Sequence, residues 1–125
     1  KPQVLVMAPT RELAIQVAEA FETYGQFMPK LGVATVYGGQ HFSIQVNQLK
    51  RGAQIVVGTP GRVMDHMRRG QLSLDGLATL VLDEADEMLR MGFAEDMDWV
   101  FSQAPDERQT LPAKEYQHHT ATLSD

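Results

Sequence analysis

The chain has 125 residues, of which 43% are hydrophobic and 22% charged, and it contains no cysteine. That leaves room for one domain with a moderate core and excludes a disordered chain, a disulfide scaffold and a thiolate metal site. The longest unbroken apolar run, Val4 to Pro9, is far too short to cross a bilayer. No basic-then-apolar leader opens the sequence, so the expectation is a soluble, cytoplasmic protein without a membrane partner. The net charge of −5 is unevenly spread: through Gly70, Lys and Arg outnumber the acids 8 to 4, and from Gln71 onward the acids lead 12 to 3. Such a division suits a surface with one part facing a polyanion and another facing a cation, or it is solvating charge unevenly laid out.

In chain order, Val4-Leu5-Val6-Met7 predicts a first strand. Leu13, Val17, Phe21, Tyr24 and Met28 then recur every three or four residues, one face of a helix over Glu12 to Met28. Val33 to Tyr37 predicts a second strand, and Phe42, Val46 and Leu49 mark a short helix after it. Ile55-Val56-Val57 predicts a third. Thr59 can then cap a helix over Pro60 to Arg69, with Pro60 in its first turn, Val63, Met64 and Met67 as its apolar face, and Gly70 as its stop. Leu80-Val81-Leu82 predicts the fourth strand, followed by helical stretches over Glu87 to Arg90 and Ala94 to Phe101. Phe93, Trp99 and Phe101 fall at helical spacings and are assigned to the core. The strand runs are continuous rather than alternating, as burial on both faces requires. Regular strand–helix alternation therefore predicts an α/β fold, a parallel sheet with helices on both faces. No repeat or low-complexity segment interrupts it, and Pro112 to His119 follow neither period.

Three elements carry chemistry. Leu80-Val81-Leu82 runs into Asp83-Glu84-Ala85-Asp86, which places adjacent carboxylates at the carboxyl edge of the sheet, where ligands bind. Two such acids can divide the work of holding Mg²⁺ through water and orienting an attacking water; alternatively they are only an acidic helix start. Gly38-Gly39 after the second strand lets backbone N–H groups approach a phosphate, or simply makes a turn. Thr59-Pro60-Gly61-Arg62 offers a hydroxyl, helix-start amides and a guanidinium at one helix N-terminus, a ready anion site. Arg68-Arg69 reads as a solvated helix end, and His41, His66, His118 and His119 lack ligand spacing.

Pro9-Thr10-Arg11-Glu12-Leu13-Ala14, Gly38-Gly39, Thr59-Pro60-Gly61-Arg62 and Asp83-Glu84-Ala85-Asp86 occur in the order and rough spacing of motifs Ia, GG, Ib and II of DEAD-box ATP-dependent RNA helicases. The chain resembles that family from Val4 to about Gln109, and Asp83 to Phe93 most resemble its bacterial cold-shock and ribosome-assembly members. The resemblance implies an incomplete RecA-like (P-loop NTPase-type) sheet over residues 1–110, part of the first helicase domain. It implies ATP and Mg²⁺ as cofactors, with Asp83 and Glu84 serving the metal and the hydrolytic water, and Asp86 linking the ATP site to the RNA-bound state. Pro9, Thr10, Arg11, Gly39, Thr59, Gly61 and Arg62 fall where the family holds the RNA backbone, a mode of contact that carries little base specificity. A second RecA-like domain is the implied partner in the intact protein.

The sequence also departs from the family. No Gly-x-x-x-x-Gly-Lys-Ser/Thr occurs in it, so the phosphate-loop strand is expected to be missing and the 125 residues alone inactive toward ATP. Pro112 is poorly suited to a buried strand, and residues 111–125 read as a divergent or non-native tail. Thr120-Ala121-Thr122 resembles the family's Ser-Ala-Thr but comes several residues late, and Thr120 and Thr122 are given no role. Without its two expected neighbours the Asp83 strand should expose an edge and favour self-association. Two functions follow: part of an RNA-dependent ATPase and unwinding enzyme, or a non-catalytic RNA-binding or interaction module. A nucleotide-free signalling domain leaves the Thr-Pro-Gly-Arg and Gly-Gly elements unexplained.

Overall fold

The computed structural model describes residues 1–25 and 31–112. Its elements are β1 (Val4–Met7), α1 (Arg11–Gly25), β2 (Val33–Val36), α2 (Phe42–Lys50), β3 (Ile55–Gly58), α3 (Pro60–Arg68), β4 (Thr79–Leu82), α4 (Ala85–Arg90), α5 (Ala94–Gln103) and β5 (Gln109–Pro112). The strands form one parallel sheet in the order β2-β3-β1-β4-β5.

Successive strand side chains point to opposite faces, and here both faces are covered. Leu5, Met7, Ala34, Val36, Val56 and Leu80 pack on one side with Val63 and Met64 of α3, Met88 of α4, and Met97 and Val100 of α5. Val6, Ile55, Val57, Val81 and Leu111 pack on the other with Ala14 and Ala18 of α1. Burial on both faces accounts for the unbroken apolar runs. Phe93, Trp99 and Phe101 pack, partly buried, against the first cluster.

On α1 the expected stripe turns by one position. Ala14 and Ala18 meet the sheet, Leu13, Val17 and Phe21 flank them, and Tyr24 is 61% exposed. Two alanines one turn apart let the helix lie close to the strands, so the wider side chains pack at its margins. Met28, His118, His119, Thr120 and Thr122 lie outside the described residues.

The expectation of a bare edge on the Asp83 strand is corrected. β5 pairs in parallel with β4, from Thr79 opposite Gln109 to Leu82 opposite Pro112, and Leu111 is buried. Pro112 fits because it is the last residue of β5, which among the described residues pairs on one side only, where a missing donor matters least. Among the described residues the sheet edges belong to β2 and β5, and the self-association argued from an open β4 edge loses its basis. No helix among the described residues is long and apolar enough to cross a membrane.

Register positions the site. Met7 lies opposite both Gly58 and Leu82, and Val36 lies opposite Gly58. The loops leaving β1, β2, β3 and β4 therefore emerge level with one another on the carboxyl rim.

Candidate functional site

Each loop is set by its own local chemistry. After β1, Pro9 is buried and Thr10 opens α1: its Oγ1 accepts the N–H of Leu13 at 3.2 Å, a side-chain cap. Because that oxygen is the acceptor, the hydroxyl proton is left for a ligand. Arg11 is exposed, and its guanidinium lies against the next loop: a Cβ on Gly39 would stand 3.2 Å from Arg11 Nη1. Gly39 has φ of +92°, a conformation that glycine adopts without steric penalty.

After β3, Thr59 is extended at the N-cap of α3, but its side chain makes no capping bond, contrary to expectation. Pro60 fills the first helical position, and Gly61 is exposed, with nothing within 4 Å of where a Cβ would stand. First-turn N–H groups have no partner inside a helix. With no side chain across them, the amides of Gly61 and Arg62 and the positive end of the helix dipole face outward.

Beneath this surface lies a polar cluster that the sequence reading missed. Gln45 of α2 is fully buried. Its Nε2 donates to Tyr37 O at 2.8 Å and to Gln40 Oε1 at 2.9 Å. Its Oε1 accepts from Arg62 Nη1 at 3.1 Å and lies 2.8 Å from His66 Nε2. Arg62 Nη1 also reaches Gln40 O at 3.3 Å. His66, fully buried, stacks on Phe42 with ring centres 4.0 Å apart, and Arg69 lies over the same Phe42 ring at 4.5 Å. Burial, then the positive charge of Arg62, pulls the imidazole down to about 4, so it is neutral near pH 7. Arg68 and Arg69 are not merely solvated: Arg68 covers Trp99 at 5.0 Å, and Arg69 pairs with Asp65 at 3.3 Å. Gln45 stands three residues after Phe42 and four before Leu49, within the apolar stripe of α2, and a polar residue on that buried face was the signal that could have found it.

The fourth loop is acidic. Asp83 donates its N–H to Met7 O at 2.8 Å, which ties the end of β4 to β1. It is only 6% exposed, and burial, followed by the neighbouring Glu84 carboxylate, pushes it above the usual carboxylate range. Glu84 is the one non-glycine among the described residues with positive φ, at 58°. That left-handed turn costs about 1–2 kcal/mol and ends in an exposed side chain. Asp86, also exposed, lies in the first turn of α4.

Among the described residues no group of three or more His, Cys, Asp or Glu could cage a metal. A buried carboxylate with no basic group paired to it among the described residues, beside a second exposed one, fits instead the hard-oxygen, largely water-mediated contact that Mg²⁺ accepts. Asp83 and Glu84 would be the residues to hold it.

All the sequence-derived candidates therefore stand on one rim. Pro9, Thr10 and Arg11 are flanked by Thr59, Gly61 and Arg62 on one side and by Asp83, Glu84 and Asp86 on the other, with Gly39 one strand further out. On the rim itself, Arg11 and Arg62 stand on the side of the β1 and β3 loops, and Asp83, Glu84 and Asp86 on the side of the β4 loop.

A family model described as DEAD/DEAH box helicase matches residues 1–124. The chain is 58% identical over 109 residues to the ATP-dependent RNA helicase DeaD of Buchnera aphidicola subsp. Schizaphis graminum, covering 87% of this chain and 18% of that protein. It is 56% identical to the protein of that name from Escherichia coli strain K12, covering 87% and 17%. The fold is similar to a DEAD box protein from Methanococcus jannaschii, with a TM-score of 0.81 and 42% identity over 89% of this chain and 30% of that one. It is similar also to the yeast DEAD-box splicing factor Prp28, with a TM-score of 0.83 and 32% identity over 89% and 27%. The chain thus spans less than a fifth of the length of these curated relatives.

Proposed function

The chain belongs to the DEAD/DEAH box helicase family, and we propose that it supplies an ATP-dependent RNA helicase with the rim that grips the RNA backbone and the carboxylates that serve Mg²⁺. Register is the observation that carries this reading, because it brings the Thr10, Gly39 and Thr59 loops out on the same rim as the Asp83 loop. RNA phosphate oxygens would accept hydrogen bonds from the Thr10 hydroxyl, the Gly39 N–H and the opening amides of α3. Pro9 shapes the first loop, Thr59 and Gly61 keep the helix start open, and Arg11 and Arg62 add positive charge. Such contacts hold any sequence alike.

When bound with a nucleotide, Mg²⁺ neutralises charge on the phosphates. Asp83, desolvated and short of positive charge, gains by facing a cation, and Glu84 presents an exposed carboxylate next to it that can orient or deprotonate water. Asp86 is assigned, by family resemblance, to coupling between the two sites. The 125 residues contain no Gly-x-x-x-x-Gly-Lys-Ser/Thr, so no grip on the ATP phosphates is assigned to them. Hydrolysis and unwinding belong to the whole enzyme, with its second RecA-like domain.

A second reading, a non-catalytic RNA-binding module, draws on one observation: the Thr10 cap, the Gly39 turn and the open start of α3 can meet a phosphate without any nucleotide on the rim. Both readings require RNA on the rim. Anisotropy of a labelled oligouridylate, followed against salt, tests this: log affinity should fall linearly with log salt. Arg62→Gln should weaken binding to all sequences alike and reduce the slope by roughly 0.7, the contribution of one single-strand phosphate. Binding indifferent to salt would overturn the assignment.

A further inference from the structure

We propose that Gln45 is a positioning residue that ties the Gly38-Gly39 loop to the amino end of α3 and so presents the two at a fixed separation. The tie is legible from the amide itself. A primary amide has two N–H donors and two acceptor lone pairs, and Gln45 uses all four: toward Tyr37 O and Gln40 Oε1, and toward Arg62 Nη1 and His66 Nε2. The partners also settle which way round it sits. Tyr37 O can only accept and the guanidinium can only donate, so the nitrogen must face the Gly-Gly loop and the oxygen must face α3. His66 must then donate through Nε2, which leaves its Nδ1 unprotonated, and Nδ1 has no hydrogen-bond partner among the described residues.

The position is otherwise ill suited to Gln. It is the buried residue of α2, where an apolar side chain would pack without needing four matched partners. All four partners lie in the two segments that flank the outer rim, and Arg62 Nη1 closes the ring by also reaching Gln40 O. One side chain thereby couples the Gly-Gly loop to the first half of α3, two segments separated in the chain by α2 and β3. The consequence for RNA affinity rests on the proposed function; the tie itself does not.

The test uses Gln45→Met, similar in length and unable to make any of the four bonds, and Gln45→Glu, which keeps the acceptors toward α3 but loses the donors toward the loop. Backbone NMR order parameters of Gly38 to Gln40 should fall from the rigid range near about 0.85 to below about 0.6 in both variants, with α1 unchanged. Oligouridylate should bind Gln45→Met about tenfold more weakly, the worth of a lost hydrogen bond to a charged group. The salt slope should be kept, because no cation is removed. Wild-type order parameters and affinity in a folded Gln45→Met with a lowered melting temperature would reduce Gln45 to a stabilising residue and overturn the proposal. If Gln45→Met does not fold, the order parameters of Gln45→Glu decide. If the wild-type chain binds no oligouridylate, the RNA reading falls, and the order parameters alone decide the tie.

Discussion

Gly58 carries the sharpest consequence of the fold. It is the last residue of β3, buried where β2 and α3 close over the strand that delivers Thr59 to the rim. A Cβ there would stand 2.5 Å from Val36 Cγ2, 2.7 Å from Val36 O and 2.7 Å from Val63 Cγ2. The two methyl groups can turn away in part. The carbonyl cannot, because it accepts the N–H of Thr59 at 3.1 Å, and moving it breaks that bond. Overpacking of a close-packed core costs about 1–3 kcal/mol, and the fixed carbonyl sets Gly58→Ala at the upper end, about 3 kcal/mol. For a domain of this size that is a fall of about 10 °C in melting temperature. Thermal melts followed by circular dichroism measure it directly. Gly38→Ala is the control: nothing lies within 4 Å of its added Cβ, and its stability should stay within about 0.5 kcal/mol of wild type. A Gly58→Ala melt within about 2 °C of wild type would refute the packing of β2, β3 and α3 described above.

The acidic loop yields further expectations. Glu84→Gly should be more stable than Glu84→Ala by about 1 kcal/mol in urea titrations, because only glycine enters the left-handed turn without steric penalty; equal stabilities would remove the strain assigned there. Asp83 titrates above the usual carboxylate range because burial disfavours its charge. Its ionised form therefore destabilises the fold above that raised pKa, and the penalty fades as pH falls through it toward the ordinary range. Asp83→Asn should melt higher than wild type near pH 7, with the difference closing toward about pH 4. A difference that widens on acidification would reverse the assigned cause. The 125-residue chain should hydrolyse no ATP in a phosphate-release assay, with or without RNA. Turnover abolished by Glu84→Gln would contradict this.

The parallel sheet was legible in the sequence because strands buried on both faces leave a signal that needs no partner to read. Val4 to Met7 and Ile55 to Val57 are apolar at every position, and each became a strand. β5 left almost none. Gln109, Thr110 and Pro112 surround the single apolar Leu111, and an outer strand needs little more than one buried residue and a ladder on one side. The motif loops were legible for the same reason as the sheet, since strand ends fix where they emerge. What escaped was whatever depends on several segments meeting. Gln45 lies on the apolar stripe of α2, but the four hydrogen bonds that satisfy its amide are shared with the Gly-Gly loop and α3, which no hydrophobic periodicity records. His66 is neutral because of its surroundings, and Glu84 takes its unusual backbone from the turn between β4 and α4.

The rim as RNA-binding face is tested most directly by ¹⁵N–¹H NMR of the chain titrated with oligouridylate. The amides of Thr10, Arg11, Gly39, Gly61 and Arg62 should shift together along one binding curve, while Gly52, Gly70 and Gly76 on the far side of the sheet stay in place. Shifts confined to those far-side glycines, or none at oligouridylate concentrations that saturate binding by anisotropy, would contradict it.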